Sequence, residues 1–186
     1  MYAIIATFDR VFTNKIIELQ NEITNIIGTN QLAGVEPHIT LADYHELDVH
    51  LYKEKLEEFV ALQENMAAIT FPSVGIFLTN GTIFLAPAIT DELLKLHHSY
   101  HDNFKTFHDN LNSYYVPGKW VPHCTIAIKL YANQFLSVME YIYEKFDHAI
   151  ASIEKLKLIK VNYENGSAIS SSILAEYNFK RMETSR

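Results

Sequence analysis

Pro37-His38-Ile39-Thr40-Leu41 and, far downstream, Pro122-His123-Cys124-Thr125-Ile126 decide how this chain is read, since each is a proline followed by His-x-Thr and an apolar residue. A lone His-x-Thr carries little information. Requiring the proline changes that. With nine histidines and five prolines in 186 residues, on the order of a hundredth of such a motif is expected by chance, and the chain has two. On a strand, residues i and i+2 share a face, so each histidine projects beside its threonine. Cys124, lying between, points the other way into packing.

The elements around the two motifs follow one order. Tyr2 to Phe8 is apolar enough for a buried strand, with Phe8 in the core. Val11 to Ile27 sets Ile16, Leu19, Ile23, Ile26 and Ile27 on one helical face, which Gly28 ends. The first motif then forms a short strand. A helix runs from about Asp48, its cap, to Glu64, and Ala67 to Leu78 reads as a strand. Asn80-Gly81, between Ile76-Phe77-Leu78 and Ile83-Phe84-Leu85, marks a hairpin. Thr82 to Ala86 then repeats the strand, Thr90 to about Ser113 the helix, and Trp120 to Ile128 the motif-bearing strand. A helix from about Asn133 to Phe146 and strands near Ser152 to Tyr163 and Ala168 to Glu176, joined at Asn165-Gly166, complete the chain. The repeat is one of architecture: a single two-lobed domain over 1–186 with approximate halves 1–81 and 82–178. Asn112 to Lys119 is the best loop candidate, and the polar Arg181 to Arg186 is expected to fray.

Bulk properties narrow the function. Hydrophobic residues at 48% and charged residues at 20% describe a folded globular protein. The apolar opening Met1 to Phe8 is stopped by Asp9-Arg10, too early for a signal peptide or membrane span. One cysteine excludes an internal disulfide and fits a reducing interior, so a cytoplasmic location is expected. A net charge of −7 argues against binding long nucleic acid, which needs a broad basic surface. A short phosphate ester in a local cleft remains compatible.

If the two motif strands face each other, two imidazoles can flank one phosphorus, one taking a proton from the attacking oxygen and one protonating the leaving oxygen. Thr40 and Thr125 would donate to the non-bridging oxygens. Lys119 and Trp120 precede the second motif, where Lys119 could meet a phosphate and Trp120 could stack on a base. Tyr44 and Tyr131 follow their motifs and are candidate substrate contacts. His97, His98, His101 and His108 lack the His-Glu-x-x-His pattern and companion cysteines, so a solvated helix face is expected there and no metal. His45 and His50 read as surface loop positions.

His38-Ile39-Thr40-Leu41 and His123-Cys124-Thr125-Ile126 together resemble the paired signature of the 2H phosphoesterase superfamily, which includes the bacterial 2′-5′ RNA ligase and cyclic phosphodiesterase group. The resemblance implies an α+β fold, bilobal and duplicated, with two antiparallel sheets flanked by helices around a central cleft. It implies catalysis by His38 and His123, as general acid and general base respectively in cyclic-ester hydrolysis, without metal or other cofactor. Its substrates would be nucleotides or short RNAs bearing a 2′,3′-cyclic phosphate or a 2′-5′ linkage. The acidic balance and the lack of an arginine cluster favour a phosphodiesterase over an RNA 2′-5′ ligase. A nucleotide-binding module without turnover is the other alternative on the same fold.

Overall fold

The computed structural model describes residues 1–28, 32, 35–63, 68–164 and 167–180. The elements are β1 (Tyr2–Phe8), α1 (Arg10–Ile27), β2 (His38–Tyr44), α2 (Val49–Leu62), β3 (Ile69–Phe71), β4 (Ser73–Phe77), β5 (Thr82–Ala86), α3 (Asp91–Phe104), a 3-10 turn (Lys105–Phe107), β6 (Cys124–Ala127), α4 (Ala132–Lys145), β7 (Ala149–Ala151), β8 (Ile153–Glu164) and β9 (Ser167–Asn178). Glu64, Ala67, the Asn165-Gly166 turn and Arg181 to Arg186 lie outside the described residues.

The class is α+β with antiparallel sheets, as expected. Beyond a four-stranded sheet ordered β2-β1-β8-β9 and a three-stranded sheet ordered β4-β5-β6, a two-stranded ribbon joins β3 to β7. The sheets do not divide at residues 81 and 82: β4 pairs with β5, and β8 returns to pair along β1.

Local chemistry explains the helices. Asp9 caps α1 by accepting from the Phe12 N–H at 2.9 Å, and Gly28, at φ 75°, closes it with a bond to the Thr24 carbonyl. Phe12, Ile16, Leu19 and Ile23 form its buried stripe. Asp48 and Thr90 cap α2 and α3.

Three expected boundaries are corrected. The strand over Ala67 to Leu78 is two strands in different sheets, split at Pro72, which has no N–H to extend a ladder. The helix from Thr90 stops at Phe104 instead of Ser113 because the following loop is drawn onto the end of β2: Asp109 accepts from the His45 and Glu46 N–H groups, and Asn110 donates to Asp43. The second motif strand begins only at Cys124, since Trp120 turns back to the Val116 carbonyl and Pro122 cannot donate.

The faces of the large sheet follow from register. Thr7 lies opposite His38, Ile5 opposite Thr40 and Ala3 opposite Asp43, and on the other side of β1 these oppose Lys155, Lys157 and Ile159. Cross-strand partners share a face. One face therefore carries His38, Thr40, Asp43 and Lys157. The other, with Ile4, Ala6, Leu156 and Leu158, closes the main core against Phe12, Ile16 and Leu56.

Candidate active site

Each histidine is held by the chain just before it. His38 opens β2 and His123 immediately precedes β6. The His38 Nδ1 lies 2.7 Å from the Glu36 carbonyl oxygen and the His123 Nδ1 2.7 Å from that of Val121. A carbonyl only accepts, so in both rings Nδ1 carries the hydrogen and donates, leaving Nε2 with its lone pair.

Directly after each threonine the ladder shifts register. Ile5 pairs with Thr40 but Ile4 with Ala42, and Phe84 pairs with Thr125 but Ile83 with Ala127. Leu41 and Ile126 are thus the extra residues of two β-bulges at matching positions, and both are buried in the core. Bulges of this kind bend a strand and re-aim its side chains. Side chains from elsewhere serve the threonine carbonyls: the Trp120 Nε1–H donates to Thr40 O at 2.9 Å and the Gln20 Nε2–H to Thr125 O at 3.1 Å.

A cavity of about 510 Å³ is lined by His123, Thr125, Lys119, Tyr115, Tyr114 and Phe77, among others. A smaller one of about 130 Å³ is lined by His38, Pro37, Glu36 and Gln20. Thr125 and Ile128 line both, so the two histidines flank a shared wall. Tyr115 lines the large cavity with its phenol beside the Thr40 hydroxyl, while Thr40 itself lines neither cavity.

Burial pushes the His38 imidazole below its ordinary value; the Glu36 carbonyl opposes this and the charge of His123 adds to it. Burial also lowers His123, against the Val121 carbonyl, with the Phe77 ring edge-on at 4.9 Å and Phe84 at 5.2 Å. Both imidazoles favour the neutral form that a base requires.

A family model described as the 2′-5′ RNA ligase superfamily matches residues 15–164. The chain belongs to that superfamily. No curated protein matches it in sequence. Among solved structures, TT0787 of Thermus thermophilus superposes with a TM-score of 0.62 at 13% identity, over 97% of this chain and 98% of that one. E. coli LigT in apo form gives a TM-score of 0.59 at 13% identity over 96% of each chain. E. coli LigT complexed with 3′-AMP gives 0.60 at 11% identity, over 96% of this chain and 97% of that one. At such identities the likeness speaks for the fold.

Within this superfamily fold the other expected site residues scatter. Lys119 lines the large cavity beside His123. Tyr44 does not reach it: the side chain is fully buried and its hydroxyl is bonded to Tyr100 at 2.6 Å, with Tyr52 completing a phenol cluster. Trp120 is taken up by the scaffold, its N–H on Thr40 and one face stacked on His97 at 3.8 Å. Tyr131 is 74% exposed before α4 and lines neither cavity.

The solvated histidine face is also corrected. His97 and His101 are buried, pointing at carbonyls of Tyr115 and Leu41, while His98 and His108 are exposed. Burial holds His97 down to about 4. Among the described residues, no group of three or more His, Cys, Asp or Glu could hold a metal ion, and no helix is long and apolar enough to cross a membrane. Cys124 is fully buried, which pushes its thiol up to about 12 and leaves it unreactive. Tyr115, Gln20 and Lys157 escaped the sequence reading. The only signal for Tyr115 was its place in the loop entering the second motif.

Proposed function

We propose that this superfamily member is a metal-independent phosphodiesterase that opens a 2′,3′-cyclic phosphate, or cuts a 2′-5′ phosphodiester, of a nucleotide or short RNA. The observation that carries the reading is the matched pair of imidazoles, each with Nδ1–H tied to a carbonyl and Nε2 left with its lone pair, lining two cavities that share Thr125. One neutral Nε2 takes the proton of the attacking water while the other ring, protonated, gives its proton to the leaving ribose oxygen. In hydrolysis His38 is the acid and His123 the base; ligation, the reverse step, exchanges them. The bound phosphate anion raises the proton affinity of the nearby imidazoles, offsetting their burial and keeping one charged. Thr40 and Thr125 donate to the non-bridging oxygens, with the Tyr115 phenol beside the Thr40 hydroxyl. The 510 Å³ cavity, with Tyr114 and Phe77 in its wall, suits a nucleoside, and LigT has been crystallised with 3′-AMP, ATP and phosphate.

The deciding experiment assays nucleoside 2′,3′-cyclic phosphates and 2′-5′ dinucleotides in excess chelator, with wild type, His38→Ala and His123→Ala. Turnover by wild type alone is the expected result. A wild type that turns over no ester, yet binds one tightly and equally well after both changes, replaces the enzyme with a nucleotide-binding module.

A further inference from the structure

On the sheet face that carries His38, an ammonium lies under the surface between two carboxylates. Lys157 is 5% exposed. Its Nζ donates to Glu36 Oε2 at 2.6 Å and to Glu176 Oε2 at 2.9 Å, and Lys155 meets the other Glu176 oxygen at 2.8 Å. On β1, Ile5 stands between Lys157 on one side and Thr40 on the other.

Glu36 is the link to the site. Its carbonyl holds the His38 Nδ1–H, and it belongs to no helix or strand, so among the described residues no strand ladder fixes its peptide. Its carboxylate anchors the residue on Lys157. Burying an ammonium is costly before pairing, and an apolar side chain of similar volume serves packing as well or better. An ion pair at this position therefore serves geometry. We infer that Lys157 is a positioning residue for His38: through Glu36 it sets the carbonyl that orients the imidazole. This rests on the acid–base reading of His38 given above.

The charge arrangement makes the inference testable apart from turnover. The charged and titratable groups acting on His38 are Glu36 in its own segment and His123 before β6; Asp43 on β2 and Lys155 and Lys157 on β8 share its sheet face, Glu176 on β9 pairs with both lysines, and α1 contributes the uncharged Gln20. Burial works to lower the Lys157 ammonium, but its bonds to Glu36 and Glu176 carry it above its ordinary value, so it stays charged. Lys157→Met removes a cation, leaving Glu36 without its lysine and Glu176 with Lys155 alone, which favours imidazolium. Glu36→Gln does the opposite.

The experiment titrates the His38 and His123 imidazoles by NMR in wild type, Lys157→Met, Lys157→Arg and Glu36→Gln, and measures kcat and KM on a nucleoside 2′,3′-cyclic phosphate. The expected result is a His38 midpoint raised by Lys157→Met, lowered by Glu36→Gln and restored toward wild type by Lys157→Arg, with His123 unmoved. Kcat should fall roughly 10- to 100-fold in Lys157→Met with little change in KM. Glu36→Gln keeps the side-chain volume and carries the titration by itself if Lys157→Met does not fold. A His38 midpoint that stays put in every folded variant, or a His123 midpoint that moves equally, overturns the inference. If the midpoints move as stated while wild type turns over no ester, the role of Lys157 stands and the hydrolase reading falls.

Discussion

The His38 and His123 rings are fixed in the same way, each Nδ1 2.7 Å from the carbonyl oxygen two residues earlier in the chain. Each also lies two residues before a threonine that a β-bulge follows. The duplication thus reaches past the motif letters to the tautomer, the ring orientation and the strand bend. Two imidazoles prepared identically can exchange acid and base roles, which a reversible phosphodiester reaction requires.

Replacing either histidine by alanine should lower kcat ~10²- to 10⁴-fold with a much smaller change in KM. The double variant should be far less impaired than the product of the single effects, because both groups act in one step. Steady-state kinetics on a cyclic nucleotide phosphate checks this; two independent, multiplying losses would show that the histidines do not work together.

Tyr115→Phe should cut kcat by roughly tenfold while leaving the fold intact, since it removes the phenol oxygen beside the Thr40 hydroxyl and keeps the ring in the cavity wall. Thr40→Val should lose more, and the two changes combined should cost little beyond Thr40→Val alone. Full additivity in that cycle would separate Tyr115 from the threonine.

Trp120→Phe should destabilise the protein by about 1–3 kcal/mol, because it leaves the Thr40 carbonyl without its indole donor. KM should change little, as the ring is stacked on His97 and not held open for a base. Chemical denaturation alongside KM measurement distinguishes this from a substrate-stacking role, in which KM rises and stability holds.

Acid should weaken the fold through His97. Its folded-state value is about 4 against 6.5 in an unfolded chain, so between those pH values the unfolded state binds the proton and the native state does not. The stability it preserves is complete above pH ~6.5 and is lost progressively as pH falls toward ~4, up to about 3 kcal/mol. The lowered His38, His101 and His123 act in the same direction. Urea unfolding at pH 7.5, 6 and 5 measures the slope, and His97→Gln should flatten it.

Much of this protein is decided by patterns within a few residues. The strand run of Tyr2 to Phe8, the α1 stripe of Ile16, Leu19 and Ile23 ending at Gly28, and the β4–β5 turn at Asn80-Gly81 follow from alternation, helical spacing and turn chemistry. Gly81 is needed there twice over: its φ is 63°, and an added Cβ would come within 2.6 Å of the Leu130 carbonyl oxygen. The paired Pro-His-x-Thr motifs, too, were legible as a candidate site because their signal is identity and repetition. Tertiary structure alone decided the rest. Tyr44 and Trp120 sit near the motifs in sequence, but Tyr52, Tyr100 and His97, distant in the chain, claim them. The stop of α3 depends on Asp109 and Asn110 reaching the end of β2. Lys157 is set apart from the other strand lysines because β9 and the segment before β2 close on it with two carboxylates. Local periodicity states which face of an element is apolar; which polar groups meet across that face is set by how the elements pack, and no window of neighbouring residues contains that information.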